Sequence, residues 1–236
     1  MAERVGLLRT VTLDWMDQAV NYRLTERSQE EAIALLDGQI SGLYQNPVNI
    51  RQARTILINM WYRPDDWFLA QSLQAAEGLT AFERTPLHWA LLIKRYQFFY
   101  DLASSIGRLF EFRDEISIDL IRTRIFEIWG FRGTLDACIR KNVKTIREMK
   151  CMQEGKTNGF YTRETQMLST VSAVQLLCAA VIERSGKEYM TWEEFISHPV
   201  LFPFRIENVT QADMASCEHL CLERMGDDIV IRLLQN

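Results

Sequence analysis

The chain has 236 residues with a net charge of −4, and its 47% hydrophobic and 25% charged residues are close to the globular average. These fractions argue against long-range disorder, a collagen-like repeat and a membrane-embedded chain. With 11 glycines and 5 prolines, the chain has few of the turn residues that a β-sandwich or barrel needs. We therefore expect a mainly α protein.

The N-terminal part has the apolar spacing of consecutive amphipathic helices. Residues 12–24 form the first, and Ser28 followed by Glu31 has the sequence of a capping box that opens the second. A third helix is predicted over residues 48–61, where Pro64 is expected to end it. Two helices joined by a turn resemble a helix-turn-helix, but they are also the commonest ingredient of a helical core, which is the interpretation we favour.

The centre of the chain contains its most apolar helix. A shorter helix near residues 67–76 precedes a long one over residues 86–112, whose residues are apolar almost all round. A helix without a polar face is a buried one, so we expect this helix to be the central strut of the core. Core packing explains its aromatic residues better than a cofactor cage does. A further helix over residues 116–129 ends at the glycines of residues 130–133.

The basic residues are concentrated in one segment. Between residues 122 and 163 there are ten basic and four acidic residues, so this segment carries +6 and the rest of the chain −10. A helix over residues 134–152 has apolar residues on one side and Arg140, Lys144 and Arg147 on the other. A hairpin is predicted at residues 155–163, where the pair Asn158-Gly159 favours a type I′ turn.

Helix, break, basic amphipathic helix and tight hairpin is the order of a winged helix-turn-helix. In that arrangement the second helix enters the major groove and the hairpin lies along the DNA backbone. A solvated basic helix in an ordinary helical domain is the alternative that the pattern leaves open. The candidate DNA-binding residues are Arg140, Lys141, Lys144, Arg147, Lys150, Lys156 and Arg163.

The rest of the chain continues as helices with an irregular end. We predict helices over residues 164–184, 191–198 and 211–225, an irregular segment or edge strand at 199–204, and a strand or frayed helix at 228–234. Three parts are predicted: an N-terminal helical part (residues 1–84), a central helix with a winged-helix-like part (85–165) and a C-terminal helical extension (166–236).

No catalytic, metal or cofactor site is predicted. Gly155-Lys156-Thr157 resembles the end of a P-loop, but Lys150 occupies the position of the required earlier glycine. On one helix Cys217 and Cys221 share a face, while His219 is rotated by about 200° and cannot join them as a zinc ligand. A metal-dependent nuclease built from scattered carboxylates is the remaining enzymatic alternative.

The cysteines predict the compartment. The chain has five, an odd number, and begins without the apolar stretch of a secretory signal. Its apolar runs are far shorter than the roughly 20 residues that span a bilayer. We therefore expect reduced thiols, a cytoplasmic location and no membrane contact.

The central helix carries a resemblance to a known family. The run LHWALLIKRYQFFYD at residues 87–101 resembles the central helix of the BrxA family, small helical accessory proteins of BREX phage-defence systems. The order of elements is also similar, from the helix at Ser28, through Asn49 and the helix carrying Arg51, to the helix and hairpin of residues 134–161. The resemblance covers residues 12–162 in pattern and order, and the chain continues further than the family does.

The resemblance implies a helical fold with helix-turn-helix-like units, no catalytic residues, and DNA binding in support of phage exclusion. We therefore expect a non-enzymatic accessory protein whose partners are double-stranded DNA and other BREX proteins. The alternative is a protein-interaction scaffold in a defence complex. That alternative would use the acidic remainder of the chain and the aromatic residues Trp67, Phe82, Trp192 and Phe202.

Overall fold

A computed structural model of the chain describes residues 7–63 and 67–234. Within these ranges the protein forms ten α-helices and eight short strands, so the predicted mainly α fold is confirmed. The hairpin predicted around residues 155–163 is present, but the expectation that it is the only β structure is wrong, because the described strands form three separate small sheets. One buried apolar cluster extends from Leu7 to Ile231. The division into three parts stays a prediction.

The N-terminal helices begin at the caps that the sequence supplies. Both halves of the capping box between Ser28 and Glu31 are present, which confirms that prediction. Asn46 caps the third helix, whose first residue is a proline, and the helix ends at Trp61. Pro64, which was expected to end it, lies outside the described residues. The helices are α1 (Leu13–Leu24), α2 (Gln29–Ile40), α3 (Pro47–Trp61) and α4 (Trp67–Ala76).

The predicted long helix over residues 86–112 is two helices, α5 (Thr85–Arg95) and α6 (Gln97–Phe110). Tyr96 separates them with an extended backbone, φ −133° and ψ 103°. Its ring is buried and its hydroxyl accepts a hydrogen bond from Nδ2 of Asn59 at 3.4 Å. Every residue of α5 from Thr85 to Lys94 is buried, which confirms the expected central strut.

A compact unit follows α6 in the chain. It consists of β1 (Glu115–Ser117), α7 (Ile118–Trp129), α8 (Leu135–Glu148), β2 (Met152–Glu154) and β3 (Phe160–Arg163). Strand β3 lies in the middle of an antiparallel sheet, with β1 on one side and β2 on the other. Ser117 caps α7, and Gly130, with φ 71°, ends it. The hairpin therefore packs beside the two helices that precede it.

Two local predictions in this unit are wrong. Helix α8 ends at Glu148 and not at residue 152, since Lys150 adopts φ 57° and turns the chain into β2. The turn between β2 and β3 is not type I′, because Gly159 has a positive φ while Asn158 does not. The connection is instead the longer loop of residues 155–159, closed by a bond from the N–H of Gly155 to the carbonyl of Phe160 at 2.8 Å.

The C-terminal part holds more sheet than the sequence predicted. Besides α9 and α10 it contains a parallel pair of strands and an antiparallel three-stranded sheet in the order β5-β8-β7. Thr191 and Glu194 form the second capping box, at the start of α10. The elements are β4 (Gln166–Leu168), α9 (Val171–Ser185), β5 (Tyr189–Thr191), α10 (Trp192–Ile196), β6 (Phe204–Ile206), β7 (Leu220–Met225) and β8 (Asp228–Leu233).

The predicted helix over residues 211–225 is wrong. A short 3-10 helix, Gln211–Ser216, is followed by β7, which pairs with β8 across the turn at Gly226. The cysteines and histidine at residues 217–221 therefore do not share a helix. The helix predicted from residue 164 begins at 171, because β4 pairs with distant β6. No helix within residues 7–63 and 67–234 has the length and apolar character needed to cross a membrane.

Candidate nucleic-acid interface

Helix α8 has one buried and one exposed face, as its spacing predicted. Leu135, Ile139 and Ile146 are completely buried against the core. Arg140 and Lys144 are exposed on the opposite face, together with Ala137. Since consecutive helical residues are about 100° apart, these exposed residues form one stripe along the helix.

Arg140 lies beside a carboxylate at the start of α8. Its Nε donates to Oδ2 of Asp136 at 3.0 Å, and Arg122 of α7 bonds the other oxygen of the same carboxylate. Partial burial would raise the pKa of Asp136, but the hydrogen bonds from the two guanidinium groups outweigh it and lower that pKa. The Arg140 side chain nevertheless remains 62% exposed, so its outer edge faces solvent.

Arg147 joins α8 to the hairpin. Its Nη2 lies 2.8 Å from Oε1 of Glu154 on β2, and its guanidinium lies 5.7 Å from the ring centroid of Tyr161 on β3. The hairpin is thereby held against one flank of the exposed stripe. The depression between α8 and β2 is lined by Lys144, Arg147 and Lys150 and by the carboxylates of Glu148, Glu154 and Glu164.

Three predicted lysines are exposed in this region. Lys144 and Lys150 lie on and just beyond α8, and Lys156 lies in the hairpin loop. The backbone N–H of Lys156 donates to Oε1 of Glu115 at 3.2 Å, which fixes the loop to β1 while the ammonium group stays exposed. None of the three has an ion pair within the part of the chain that the structure describes.

Arg163 and Lys141 lie outside this cluster. Arg163, at the end of β3, lines a different depression together with Trp192 and Phe204 of the C-terminal part. Lys141 is half-buried on the flank of α8 opposite Arg147, where an N-terminal segment, residues 7–11, covers the helix. The structure therefore brings Lys144, Arg147 and Lys150 around one depression, with Arg140 on the same stripe of α8 and Lys156 in the adjoining hairpin loop.

The N-terminal segment is a part of the site that the sequence does not reveal. The Thr10 hydroxyl donates to the carbonyl of Lys141 at 3.2 Å, and the N–H of Val11 donates to Oγ1 of Thr145 at 3.1 Å. Nδ2 of Asn142 in turn donates to the carbonyl of Leu7 at 3.1 Å. These contacts connect residues more than 130 positions apart, and no periodicity in the sequence signals them.

The aromatic residues of the scaffold alternative have different environments. Phe202 is buried, whereas Phe82 is 52% exposed. Trp67 stacks on His219, with ring centroids 4.0 Å apart. The most exposed aromatic residues are instead Phe112 and Phe131, at 81% and 82%, near the two ends of the α7 region. Neither of these was among the aromatic residues expected for a scaffold.

The three histidines lie apart from the basic surface. His88 is completely buried, and burial together with Arg84 lowers its pKa to about 3. Burial, helped by Arg108 and Lys187, lowers the pKa of His198 to about 4. Among residues 7–63 and 67–234, no three His, Cys, Asp or Glu side chains are grouped so that they could hold a metal ion. All five cysteines are free.

Comparison with protein-family models, with curated proteins and with solved structures finds no significant match to this chain. The function is therefore inferred from the geometry of the site and from the sequence resemblance.

Proposed function

We propose that the protein is a non-enzymatic DNA-binding protein that contacts duplex DNA through a winged helix-turn-helix formed by α6, β1, α7, α8, β2 and β3. In this proposal α7 and α8 are the two helices of the helix-turn-helix, α8 enters the major groove, and the β2–β3 hairpin is the wing. The element order supports the proposal, as does the strand order β1-β3-β2, in which the first strand pairs with the second strand of the wing.

The observation that carries the proposal is the exposed basic stripe of α8 beside the hairpin. Lys144 and Lys156 are free of ion pairs within the described ranges, and their ammonium groups face solvent. Arg140 and Arg147 pair with partly exposed carboxylates, and such surface pairs are worth only about 0–1 kcal/mol. A DNA phosphate can replace those partners at little cost. The overall charge of −4 does not prevent this, because the segment of residues 122–163 carries +6, and its ten basic residues outnumber the four acidic ones among them.

The biological role that we propose is that of a cytoplasmic accessory factor in BREX phage defence. The support for this role is the resemblance of residues 87–101 and of the element order to the BrxA family. Other BREX proteins would then be partners, while DNA contact by α8 would be the contribution of this chain. Neither contact requires a cofactor.

The test is the salt dependence of duplex binding. If about four to six phosphates are contacted, the logarithm of the association constant should fall against the logarithm of salt concentration with a slope of about −4 to −5. The variant R140A/K144A/R147A should flatten that slope while its circular dichroism remains native. The matched control is R27A/R205A/R224A, which removes three exposed arginines outside the proposed interface and should preserve the slope. Absence of duplex binding at low salt would overturn the proposal.

A protein-interaction scaffold is the second candidate, favoured by one observation. Phe112 and Ile128 are exposed at the rim of a depression of about 510 Å³ between α6 and α7, and Phe131 projects from the following turn. Exposed apolar groups in this concentration are typical of protein contact sites. If the variant F112S/F131S loses co-purification with other BREX proteins, and R140A/K144A/R147A supports phage resistance normally, the scaffold role replaces the DNA-binding role.

A further inference from the structure

The N-terminal segment places a second basic side chain beside α8. Residues 7–11 run along the flank of α8 and are tied to it at Lys141, Asn142 and Thr145. Arg9 is in the middle of this segment. Its charge acts on both Cys138 and Lys141, which are one turn apart on the same side of α8. Because Leu7 and Thr10, on either side of it, bond α8 at Asn142 and Lys141, the backbone of Arg9 lies next to the helix and beside Lys141.

Arg9 is held in one orientation. Its Nε donates to Oδ1 of Asn49 at 2.9 Å, Nη2 donates to the same oxygen, and Nη1 donates to the carbonyl of Leu8 at 2.7 Å. Asn49 lies in the first turn of α3, so a rigid element positions the guanidinium group. A guanidinium group has five N–H donors, and these bonds use three of them. Two donors remain for a further acceptor.

Among the described residues, neither cation has an anionic partner. No carboxylate within the described part of the chain lies at salt-bridge distance from Arg9 or from Lys141, and both side chains are half-buried. Burial lowers the pKa of Lys141, and the neighbouring Arg9 lowers it further, while Cys138 acts weakly in the opposite direction. Two neighbouring cations repel each other, and both have N–H donors that are not in use. An oxyanion bound between them would offset the repulsion and accept hydrogen bonds from those donors.

We propose that Arg9 and Lys141 form a phosphate-binding clamp, which grips the DNA backbone on the flank of α8 opposite the hairpin. This inference rests on the proposed function. It adds a second set of backbone contacts, supplied by the N-terminal segment, to the contacts of α8 and the hairpin.

The placement of the clamp matches the shape of the major groove. A helix in that groove lies between two phosphate backbones, one on each side. Lys141 and Arg147 are six residues apart and therefore about 120° apart around α8. Arg147 marks the flank that the hairpin occupies, through its contacts with Glu154 and Tyr161. Arg9 and Lys141 mark the other flank, so the two groups of cations face different strands.

The test combines salt dependence with mapping of the contacted phosphates on a duplex of defined sequence. The variant R9Q should reduce the steepness of the salt slope by about 0.9, the value for one lost contact, and R9K should restore most of it. The matched control R224Q removes one exposed arginine in the C-terminal part and should leave the slope unchanged. In phosphate-ethylation interference, R9Q and K156Q should abolish signals on opposite strands flanking the same groove.

The outcomes separate the clamp from the proposed function. If R140A/K144A/R147A flattens the slope while R9Q behaves like R224Q, the clamp is refuted and the DNA-binding role stands. If R9Q and K156Q abolish the same phosphate signals, the two-sided arrangement is refuted. If the wild-type protein does not bind duplex DNA at low salt, both proposals fall together.

Discussion

Replacing Asp136 by asparagine should strengthen DNA binding while weakening the fold. Asp136 lies in the first turn of α8 and holds both Arg140 and Arg122. In D136N, the Arg140 guanidinium loses its charged partner and becomes available to a phosphate, and a carboxylate that repels DNA disappears. A change that raises affinity in a less stable protein cannot be explained by misfolding, so it tests the electrostatic account directly.

The expected magnitudes follow from the exposure of these groups. Wild-type binding has to break the Arg140–Asp136 pair, which is worth a few tenths to about 1 kcal/mol, so D136N should bind about two- to fivefold tighter with a similar salt slope. The loss of two partly exposed ion pairs, together with the loss of a favourable charge at a helix N-terminus, costs about 1–2 kcal/mol. For a chain of this size that cost lowers Tm by about 3–6 °C.

Fluorescence anisotropy with a labelled duplex at several salt concentrations measures the affinity, and thermal denaturation measures the stability. The matched control is D119N, which removes the other carboxylate bound to Arg122 but does not touch Arg140. D119N makes the same change in net charge and should bind with the wild-type slope. A folded D136N protein that binds no more tightly than D119N would refute the reasoning.

Three further predictions concern the fold. A Cβ atom at Gly107 would lie 1.9 Å from the carbonyl oxygen of Pro199, so G107A should lower the free energy of unfolding, measured by urea denaturation, by about 1–3 kcal/mol. An unchanged urea midpoint would contradict this tight packing. Both ring nitrogens of His88 lack a hydrogen-bond partner in the described structure, so H88L should stabilise the protein by about 1 kcal/mol. A large loss of stability in H88L would contradict the absence of a hydrogen bond to this ring. The fold lowers the pKa of His88 to about 3 and of His198 to about 4, whereas the unfolded chain protonates both near pH 6.5. The free energy of unfolding should therefore fall by about 1.4 kcal/mol per pH unit for each histidine as the pH drops from about 6 to about 5. The H88L variant should roughly halve that slope. A free energy of unfolding that does not change over this pH range would contradict the depressed pKa values.

Local chemistry made several features predictable. Ser28 with Glu31, and Thr191 with Glu194, form the capping boxes that their spacing indicates, because a cap is satisfied within four residues of chain. The exposed and buried faces of α8 follow from helical periodicity alone, so the sequence pattern is sufficient to place Arg140 and Lys144 on the surface.

Features that depend on distant pairing could not be predicted in this way. Tyr96 breaks a helix whose apolar pattern continues on both sides, and its hydroxyl bonds Asn59 of distant α3, a contact that the local pattern does not contain. Strand β7 forms because β8 supplies its hydrogen-bond partners, a context that local propensity does not contain. The segment that carries Arg9 reaches α8 across more than 130 residues of sequence, so the basic segment of residues 122–163 could not reveal it.

Site-specific photocrosslinking tests the central claim most directly. A photoreactive amino acid in place of Ala137, which is exposed on the basic stripe of α8, should crosslink to bases of a bound duplex. The same residue in place of Leu35, which is exposed on α2, should not. Efficient crosslinking from position 35 with none from position 137 would contradict the account that α8 lies in the DNA groove.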